Sequence, residues 1–571
     1  MKSAVLALLV LLAGVGTAQA AESVAMVKAD QGGSELARGN LNAALGLLNE
    51  ALAAPDLPND RRASILNDRG VANWRLGDLK AAIDDFNGAV AIFPEFAPVY
   101  TNRGNVLLAL GNTAEAIKDF ERSILLSPNY AAAYNNRAIA HMQMQRYDAA
   151  IADFAKAAEL SPTASAPLNG RGRAQLAQGR PFAAIRDFSR AIALDPNYRA
   201  GYRNRAQVRM ALKHYDAAVQ DLENALVFAP DEASLLMARG EALLKGRGYG
   251  PAIRDFTRVL ELNPAMAEAH AKRGLAYALL GADKSAMEDF AKAIEIDQRN
   301  VSAYTYRALF HRRNKEPELA LPDVERALKL DPKSAEAFRE RGMIQEAMGR
   351  SEAAIVDFKR AADIAPDDAE TWAGLKRLTG AAPPGPKPVK GTEFDEWRIY
   401  KDAAGRYLAI SEKFPQLPVP LETYGKPPPR LLDWQILKTP FKGIGLLRYS
   451  AGAIEGTTGS EPYEQVAVID LYRNVVVSLE PYRQGQKLAS WSWLESGQLT
   501  VLAPDGATTT LALRGSGKQT VRNSGQTDTD TVMGRTGDSV RVLRPKTKQK
   551  TASAKPRRRK QKTIFDLLFG Q

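Results

Sequence analysis

Arg69-Gly70-Val71-Ala72-Asn73-Trp74-Arg75-Leu76-Gly77-Asp78-Leu79-Lys80-Ala81-Ala82-Ile83-Asp84-Asp85-Phe86 is the stretch whose reading decides the fold. Its landmarks return with a step of thirty-four residues. Arginine stands at 69, 103, 137, 171, 205, 239, 273, 307 and 341, and aspartate sixteen residues after each. Alanine recurs from Ala82 to Ala354 on the same step, and seven of the nine aspartates are followed by phenylalanine. Proline closes eight of the nine units, from Pro94 to Pro366, with Gln298 as the exception. A fixed period of this length means one supersecondary unit copied along the chain, each copy too small to bury its apolar face alone.

These residues resemble the tetratricopeptide repeat family, in which each unit is a helix–turn–helix. The resemblance covers residues 63–368 as nine units in register. It implies a mostly α protein, an α-solenoid wound as a right-handed superhelix. A weaker first unit spans 21–62, where Gly39 to Leu45 mirrors Gly77 to Ile83 at a spacing of thirty-eight. The turn around Pro55 and Pro58 therefore carries four extra residues. Residues 369–380 read as a capping helix with Trp372 on the last unit. In the unit 63–96, Gly70 and Ala82 let two helices approach, Phe86 fills the space between neighbouring hairpins, and Gly77 ends the first helix.

Arg69 and Asp85 lie eight residues either side of Gly77, which places them at one height on facing helices. The same holds for Arg103 and Asp119, Arg137 and Asp153, and Arg171 and Asp187. A pair repeated in every unit reads as a structural ladder of ionic contacts, since a ligand does not need every unit.

The resemblance also implies a concave face made by the first helices, which grips extended peptides or helices. Its contact positions here hold Asn67, Asn102, Asn105, Asn135, Asn136, Asn169, Arg173, Arg203, Asn204 and Gln207. An amide both donates and accepts, so a row of asparagines can hold a peptide backbone without demanding a sequence. The other reading of the row is a solvated face with no ligand. The family's carboxylate clamp needs Lys then Asn at two of these positions. The pairs Asn67 and Val71, Thr101 and Asn105, and Asn135 and Ile139 do not supply it. His141, His270 and His311 sit at packing positions inside the repeats and read as core residues, so no metal ligand is expected.

Beyond residue 380 the composition changes. Residues 381–390 form a proline-rich linker, stiff by composition. Short apolar runs between turn signals then predict a small, mostly antiparallel β domain over 391–515. Its expected strands are Tyr407–Ser411, Leu432–Leu437, Gly443–Tyr449, Gln465–Leu471, Asn474–Leu479, Leu488–Leu494, Gln498–Ala503 and Thr508–Leu513. Trp491 and Trp493, two apart on one strand, read as core. The domain has neither His nor Cys, which removes the usual nucleophile pairs and zinc sites. Gly515-Ser516-Gly517-Lys518 lacks the spacing and following helix of a phosphate loop. No cofactor is implied.

The chain has 571 residues, formal net charge +12 and no cysteine. Eleven Lys or Arg and no acid fall within 541–562, so the basicity belongs to a tail and a nucleic-acid-coating surface is not expected. Residues 516–571 read as a disordered basic tail ending in an apolar motif, Ile564, Phe565, Leu567, Leu568 and Phe569, a candidate docking segment. At the other end, Lys2, the apolar run Ala4–Ala13 and Ala18-Gln19-Ala20 read as a signal peptide over 1–20. With that segment cleaved, the chain is expected in a bacterial periplasm or outside the cell, with no membrane span. The function expected is an exported interaction scaffold that holds an extended segment of a protein partner and does no catalysis. Two alternatives stand beside it. One is a module binding an anionic envelope glycan or lipid through the β domain and tail. The other is a hydrolase using carboxylates such as Asp433, Glu464 and Asp470.

Overall fold

The computed structural model describes residues 24–381 except 56 and 367. Beyond these it describes 387–402, 405–414, 417–423, 428–436, 444–456, 459–471, 475–482, 492–494, 498–502, 508–512 and 528–531. The expected signal peptide, Trp491 and the terminal apolar motif lie outside the described residues. The chain divides into two compact units, which meet in sequence at Gln178 and Gly179.

The first unit is a run of antiparallel helical hairpins. A helix over 24–38 (α1) pairs with α2 (Leu41–Leu52), then follow α3 (Asn59–Leu76), α4 (Leu79–Ile92), α5 (Ala97–Ala109), α6 (Thr113–Leu126), α7 (Ala131–Gln143), α8 (Tyr147–Leu160) and α9 (Ser165–Ala177). The extra residues of the first turn are tied down by Arg62, which donates to Ala54 O at 2.7 Å and Leu52 O at 3.2 Å. The second unit continues with α10 (Pro181–Leu194), α11 (Arg199–Ala211), α12 (Tyr215–Phe228), α13 (Ala233–Lys245), α14 (Tyr249–Leu262), α15 (Ala267–Leu280), α16 (Asp283–Ile296), α17 (Val301–Arg313), α18 (Pro317–Leu330), α19 (Ala335–Ala347), α20 (Ser351–Ile364) and α21 (Ala369–Thr379).

Each hairpin turns through a left-handed residue at one fixed position. Gly77, Gly111, Gly179, Gly281 and Gly349 occupy it with φ between 75° and 93°. Gln145, Lys213, Arg247 and Lys315 occupy it elsewhere, at φ 57° to 66°. The turn persists without glycine because helix packing on both sides fixes it against an unfavourable local preference.

In five of the nine hairpins an aromatic ring packs on a glycine of the facing helix, at Gly70, Gly104, Gly240, Gly274 and Gly342. Phe86, Phe120, Phe256 and Phe290 are fully buried. A Cβ on Gly70 or Gly104 would lie 2.6 Å from the ring of Phe86 or Phe120. Gly240 and Gly274 meet Phe256 and Phe290 in the same way, at 2.5 and 2.8 Å. Sequence reading assigned the phenylalanine to the space between hairpins; Phe86, Phe120, Phe256 and Phe290 press on a glycine inside their own hairpin, whereas Phe154 and Phe358 make their closest glycine contact with the following helix, at Gly170 and Gly374.

The β region begins earlier than expected. Lys387–Pro388 (β1), within the proline-rich linker, pairs antiparallel with Trp397–Lys401 (β2), so the linker ends as a strand. Tyr407–Ser411 (β3) and Val419–Leu421 (β4) complete a four-stranded meander. A second meander is formed by Arg430–Ile436 (β5), Ile444–Gly456 (β6), Gly459–Asp470 (β7) and Val475–Tyr482 (β8). A third sheet holds Ser492–Leu494 (β9), Gln498–Leu502 (β10), Thr508–Ala512 (β11) and Asp528–Thr531 (β12). The last of these runs parallel to β11 and lies inside the tail expected to be disordered; pairing with β11 gives its backbone groups partners.

The first two sheets share one apolar core containing Trp397, Ile399, Val419, Leu447, Tyr449 and Ile469. Trp434 packs its ring 4.8 Å from that of Trp397 and lies over Gly445, where a Cβ would approach to 2.3 Å. Two solenoid side chains enter the same cluster, Phe182 of α10 and Leu212 after α11. The β domain is thus seated on the solenoid and is not merely appended by a spacer. Beside Phe182, the buried carboxylate of Glu422 accepts from the amides of Phe182 at 2.6 Å and Ala183 at 3.2 Å. These are orphan N–H groups of the first turn of α10, so a side chain 240 residues away caps that helix.

Two predictions follow from this packing. Gly104→Ala forces the Phe120 ring to move and costs about 1–3 kcal/mol. Gly88→Ala, whose Cβ meets Leu66 at an ordinary 3.5 Å, gains about 0.5–1 kcal/mol of helix propensity. Urea unfolding followed by circular dichroism separates them, and equal shifts overturn the argument. The second concerns pH. Burial pushes the Glu422 carboxyl from 4.5 up to about 7, against the two amide bonds and the charges of Arg186 and Arg180. The folded state then holds that proton more tightly than the unfolded chain. The contribution is full below about pH 4.5 and lost as pH rises through about 7. Relative to Glu422→Gln, the unaltered chain loses melting temperature over that window and no further above it. A gap that does not change with pH contradicts the shift.

Candidate functional site

The first helices of successive hairpins carry the residues singled out by sequence. Arg69 sends Nη2 to Asp85 at 2.5 Å, and Arg103 straddles Asp119 with Nε and Nη2 at 2.8 and 2.7 Å. Arg137 does the same to Asp153, both bonds at 2.7 Å. The pairing recurs in the second unit at Arg205 with Asp221, Arg239 with Asp255, Arg273 with Asp289, Arg307 with Asp323 and Arg341 with Asp357. Arg171 stands half-buried on α9 and Asp187 fully buried on α10. The aspartates are at most 8% exposed, so each bond is charge-assisted and screened little by solvent.

Sequence reading missed the third arm of this contact. Nη1 of Arg69 reaches Asn49 of α2 at 2.8 Å, and Nη1 of Arg103 reaches Asn87 of α4 at 2.9 Å. In the second unit Arg205 reaches Ser189 at 2.7 Å and Arg273 reaches Thr257 at 3.1 Å. In these four units the guanidinium joins its own hairpin to the previous one. The signal was present: a polar residue sixteen positions before the arginine, or twenty where the first turn is longer.

The asparagines are brought together in part. Asn102 of α5 donates to Asn67 of α3 at 2.8 Å, Asn136 of α7 donates to Asn105 of α5 at 2.8 Å, and Asn135 donates to Asn136 at 3.1 Å. Asn67, Asn105, Asn136 and Asn169 are buried, whereas Asn102 and Asn135 are half-buried and Arg173 is exposed. Much of the predicted lining is thus spent on bonds between neighbouring first helices. The side-chain oxygens of Asn102 and Asn135 accept no bond among the described residues. Beside them, burial holds the Asp68 carboxyl above the usual range, opposed by its bond from Asn67. Arg203, Asn204 and Gln207 lie on α11 in the second unit, with Arg203 and Gln207 exposed.

The corresponding positions further along the second unit are charged, which sequence reading did not develop. Lys272 bonds Glu241 and lies 3.3 Å from Glu268. Asn300 and Ser302 donate to the same Glu268 at 3.2 and 3.1 Å. Burial raises the Tyr306 hydroxyl, with Glu336, Glu268 and Glu241 adding to it, and burial also raises Glu336. Arg339 joins Asp368 at 2.8 Å and Glu336 at 3.6 Å.

Three of the four histidines face carboxylates: His270 at 2.8 Å from Asp289, His311 at 2.9 Å from Glu316, and His141 at 3.8 Å from Asp153. Burial depresses His141 and His214. Among the described residues, no group of three or more His, Asp or Glu is placed to hold a metal, and no helix is long and apolar enough to cross a membrane. In the β region, Glu464 lies 3.6 Å from Arg448, and the Asp470 side chain lies outside the described residues.

Stacked helical hairpins, eight of them held by an internal arginine–aspartate pair, define a helical-repeat scaffold. The tetratricopeptide repeat family matches residues 30–95, 101–165, 169–234, 237–301 and 307–373, more than half of the chain. The chain belongs to that family. Among solved structures, a tetratricopeptide repeat protein from Parabacteroides merdae is 19% identical and aligns over 50% of this chain and 99% of its own, with a TM-score of 0.38. Pseudomonas aeruginosa pilF is 17% identical over 36% and 94%, with a TM-score of 0.33. Yeast Tom70 is 16% identical over 63% and 95%, with a TM-score of 0.32. No curated protein matches at a significant level.

The cross-tie makes a testable difference between two neighbouring changes. Arg103→Ala leaves Asp119 buried without its partner and costs about 3–5 kcal/mol. Asn87→Ala removes only the third arm and costs about 0.5–1.5 kcal/mol. Denaturant unfolding of each variant checks the ratio, and similar losses would show that the Asp119 bonds carry no special weight.

Proposed function

We propose that this protein is an exported interaction scaffold whose N-terminal repeats hold an extended segment of a partner protein along α3, α5 and α7. Repeats of this family form scaffolds for protein–protein interaction. The observation that carries the finer reading is the two groups of bonded amides, Asn67 with Asn102 and Asn105 with Asn136 and Asn135. The amides are oriented by one another before any ligand arrives, so less side-chain freedom is lost on binding. Asn102 and Asn135 keep an acceptor oxygen for a backbone N–H, which fits a partner recognised by its main chain. Export rests on the lysine, apolar run and small-residue site of residues 1–20.

The test is selection from a library of unstructured peptides against the chain from residue 21, followed by titration of the enriched peptides. The double variant Asn102→Ala and Asn135→Ala should bind them at least ten-fold more weakly, about 1.4 kcal/mol, with an unchanged circular dichroism spectrum. Equal affinity would remove the asparagine face from the account. The mass of the chain recovered from cells checks export, with a start at Ala21 expected and a start at Met1 overturning it.

A further inference from the structure

The contact between the β domain and α10 departs from the repeat in a way the other hairpins do not. The second residue of each second helix is Lys80, Ala114, Asp148, Phe182, Asp216, Gly250, Lys284, Glu318 and Glu352 in turn. Eight are polar or small, and only Phe182 is a large apolar residue. It is 6% exposed and belongs to the β-domain core cluster. Leu212 shows the same effect by environment. Its counterparts Leu76, Leu110 and Leu280 are exposed by 45%, 48% and 54%, whereas Leu212 packs against the β domain.

The polar half of the seat is equally local. Glu422 follows β4 directly and is 5% exposed. Its carboxylate meets the Phe182 and Ala183 amides, with the guanidinium charges of Arg180, just before the helix, and Arg186, on it, nearby. Its own amide donates to the Tyr449 hydroxyl at 3.1 Å, and that hydroxyl bonds Gln465. Tyr449 and Gln465 are fully buried on β6 and β7, so the carboxylate is held by the interior of the domain it anchors.

Either side has a core without the other. The β sheets pack Trp397, Ile399, Leu447 and Ile469 together, and the helices from α11 to α15 pack Leu222, Leu235 and Val259 in a separate cluster. Among the described residues, Phe182, Leu212 and Glu422 form the seam, with α10 also lying against β8 and β12, between two bodies that each bury their own apolar surface. Seams of that kind separate at less cost than either core unfolds.

We propose that Glu422 and Phe182 form a releasable latch, which holds the β domain on the α10–α11 edge of the solenoid and frees it as a folded body when the carboxylate contact is lost. The protein then has a docked and an extended form. The docked form fixes the distance between the β domain and whatever the repeats hold, and the extended form does not.

The chain has no cysteine, so paired labels can be placed without side reaction. Exposed Glu223 on α12 and exposed Glu412 after β3 are changed to cysteine in the full chain and labelled for energy transfer. Two latch variants are compared. Glu422→Lys sets a cation against the α10 amides, Arg180 and Arg186, and Phe182→Asp restores the residue found at Asp148 and Asp216. Each is expected to lower transfer efficiency at least two-fold while helix content and the main melting transition stay unchanged. Unchanged transfer in a folded variant overturns the latch. If a variant loses helix content, hydrogen exchange of the unaltered chain decides. Release predicts that the Phe182 and Ala183 amides exchange at least ten-fold faster than the protected amides of α14. Exchange at the same rate, through global unfolding alone, makes the seam an integral core and overturns the proposal.

Discussion

Five of the nine hairpins close on one approach distance, that of a phenylalanine ring to a helix with no Cβ beneath it. At Gly104 the gap between the would-be Cβ and the Phe120 ring is 2.6 Å, less than any real side chain tolerates. With the helices that close, the ring is fully buried and Arg103 and Asp119, the residues just before the glycine and the ring, come within bidentate range. The two contacts need each other. The ring excludes water from the ion pair, and the ion pair fixes the register that keeps ring over glycine. A single hairpin gains too little from this to fold. In four units the third nitrogen of the guanidinium, reaching Asn49, Asn87, Ser189 or Thr257, ties the hairpin to the one before, and stability is a property of the stack.

That dependence explains what the chain discloses in one dimension. Arginine and aspartate recur with every hairpin, and ring and glycine with most, so the period reveals them, and Tyr407–Ser411 in the β region is recovered as a short apolar run. Features enforced from outside their own segment stay hidden. The turns at Gln145, Lys213, Arg247 and Lys315 take the left-handed conformation because flanking helices demand it. Strands β2 and β4 were not foreseen: Val419–Leu421 is three residues with a central proline, and Trp397–Lys401 is five residues of which two are basic. The capping of α10 by Glu422 joins residues 240 apart, and no local pattern announces such a pair.

The asparagine row shows a subtler limit. Sequence reading placed these residues by position and inferred an open lining for a peptide. Position was a sound guide to neighbourhood, since Asn67 does meet Asn102 and Asn105 does meet Asn136. It was a poor guide to availability. An amide carries its own donor and acceptor, so a row of them satisfies itself wherever successive helices come within reach. What remains for a partner is the half-buried fringe, Asn102 and Asn135, and the buried members become its support.

In a repeat protein, whatever every unit shares serves folding, and individuality must lie in departures from the period. Three departures stand out here: amides in the early first helices, the charged cluster around Lys272 and Tyr306, and Phe182. The first two change what the faces of the first helices offer, from neutral hydrogen bonding to paired charge. The third is of another kind. A polar surface position has become an anchor, so a repeat that elsewhere faces only its neighbours carries a whole domain. Because the departure occupies a single position, the seat was added without disturbing ring, glycine, arginine or aspartate. An element specified so locally is open to change without unfolding what it joins, and that separates a latch from a core.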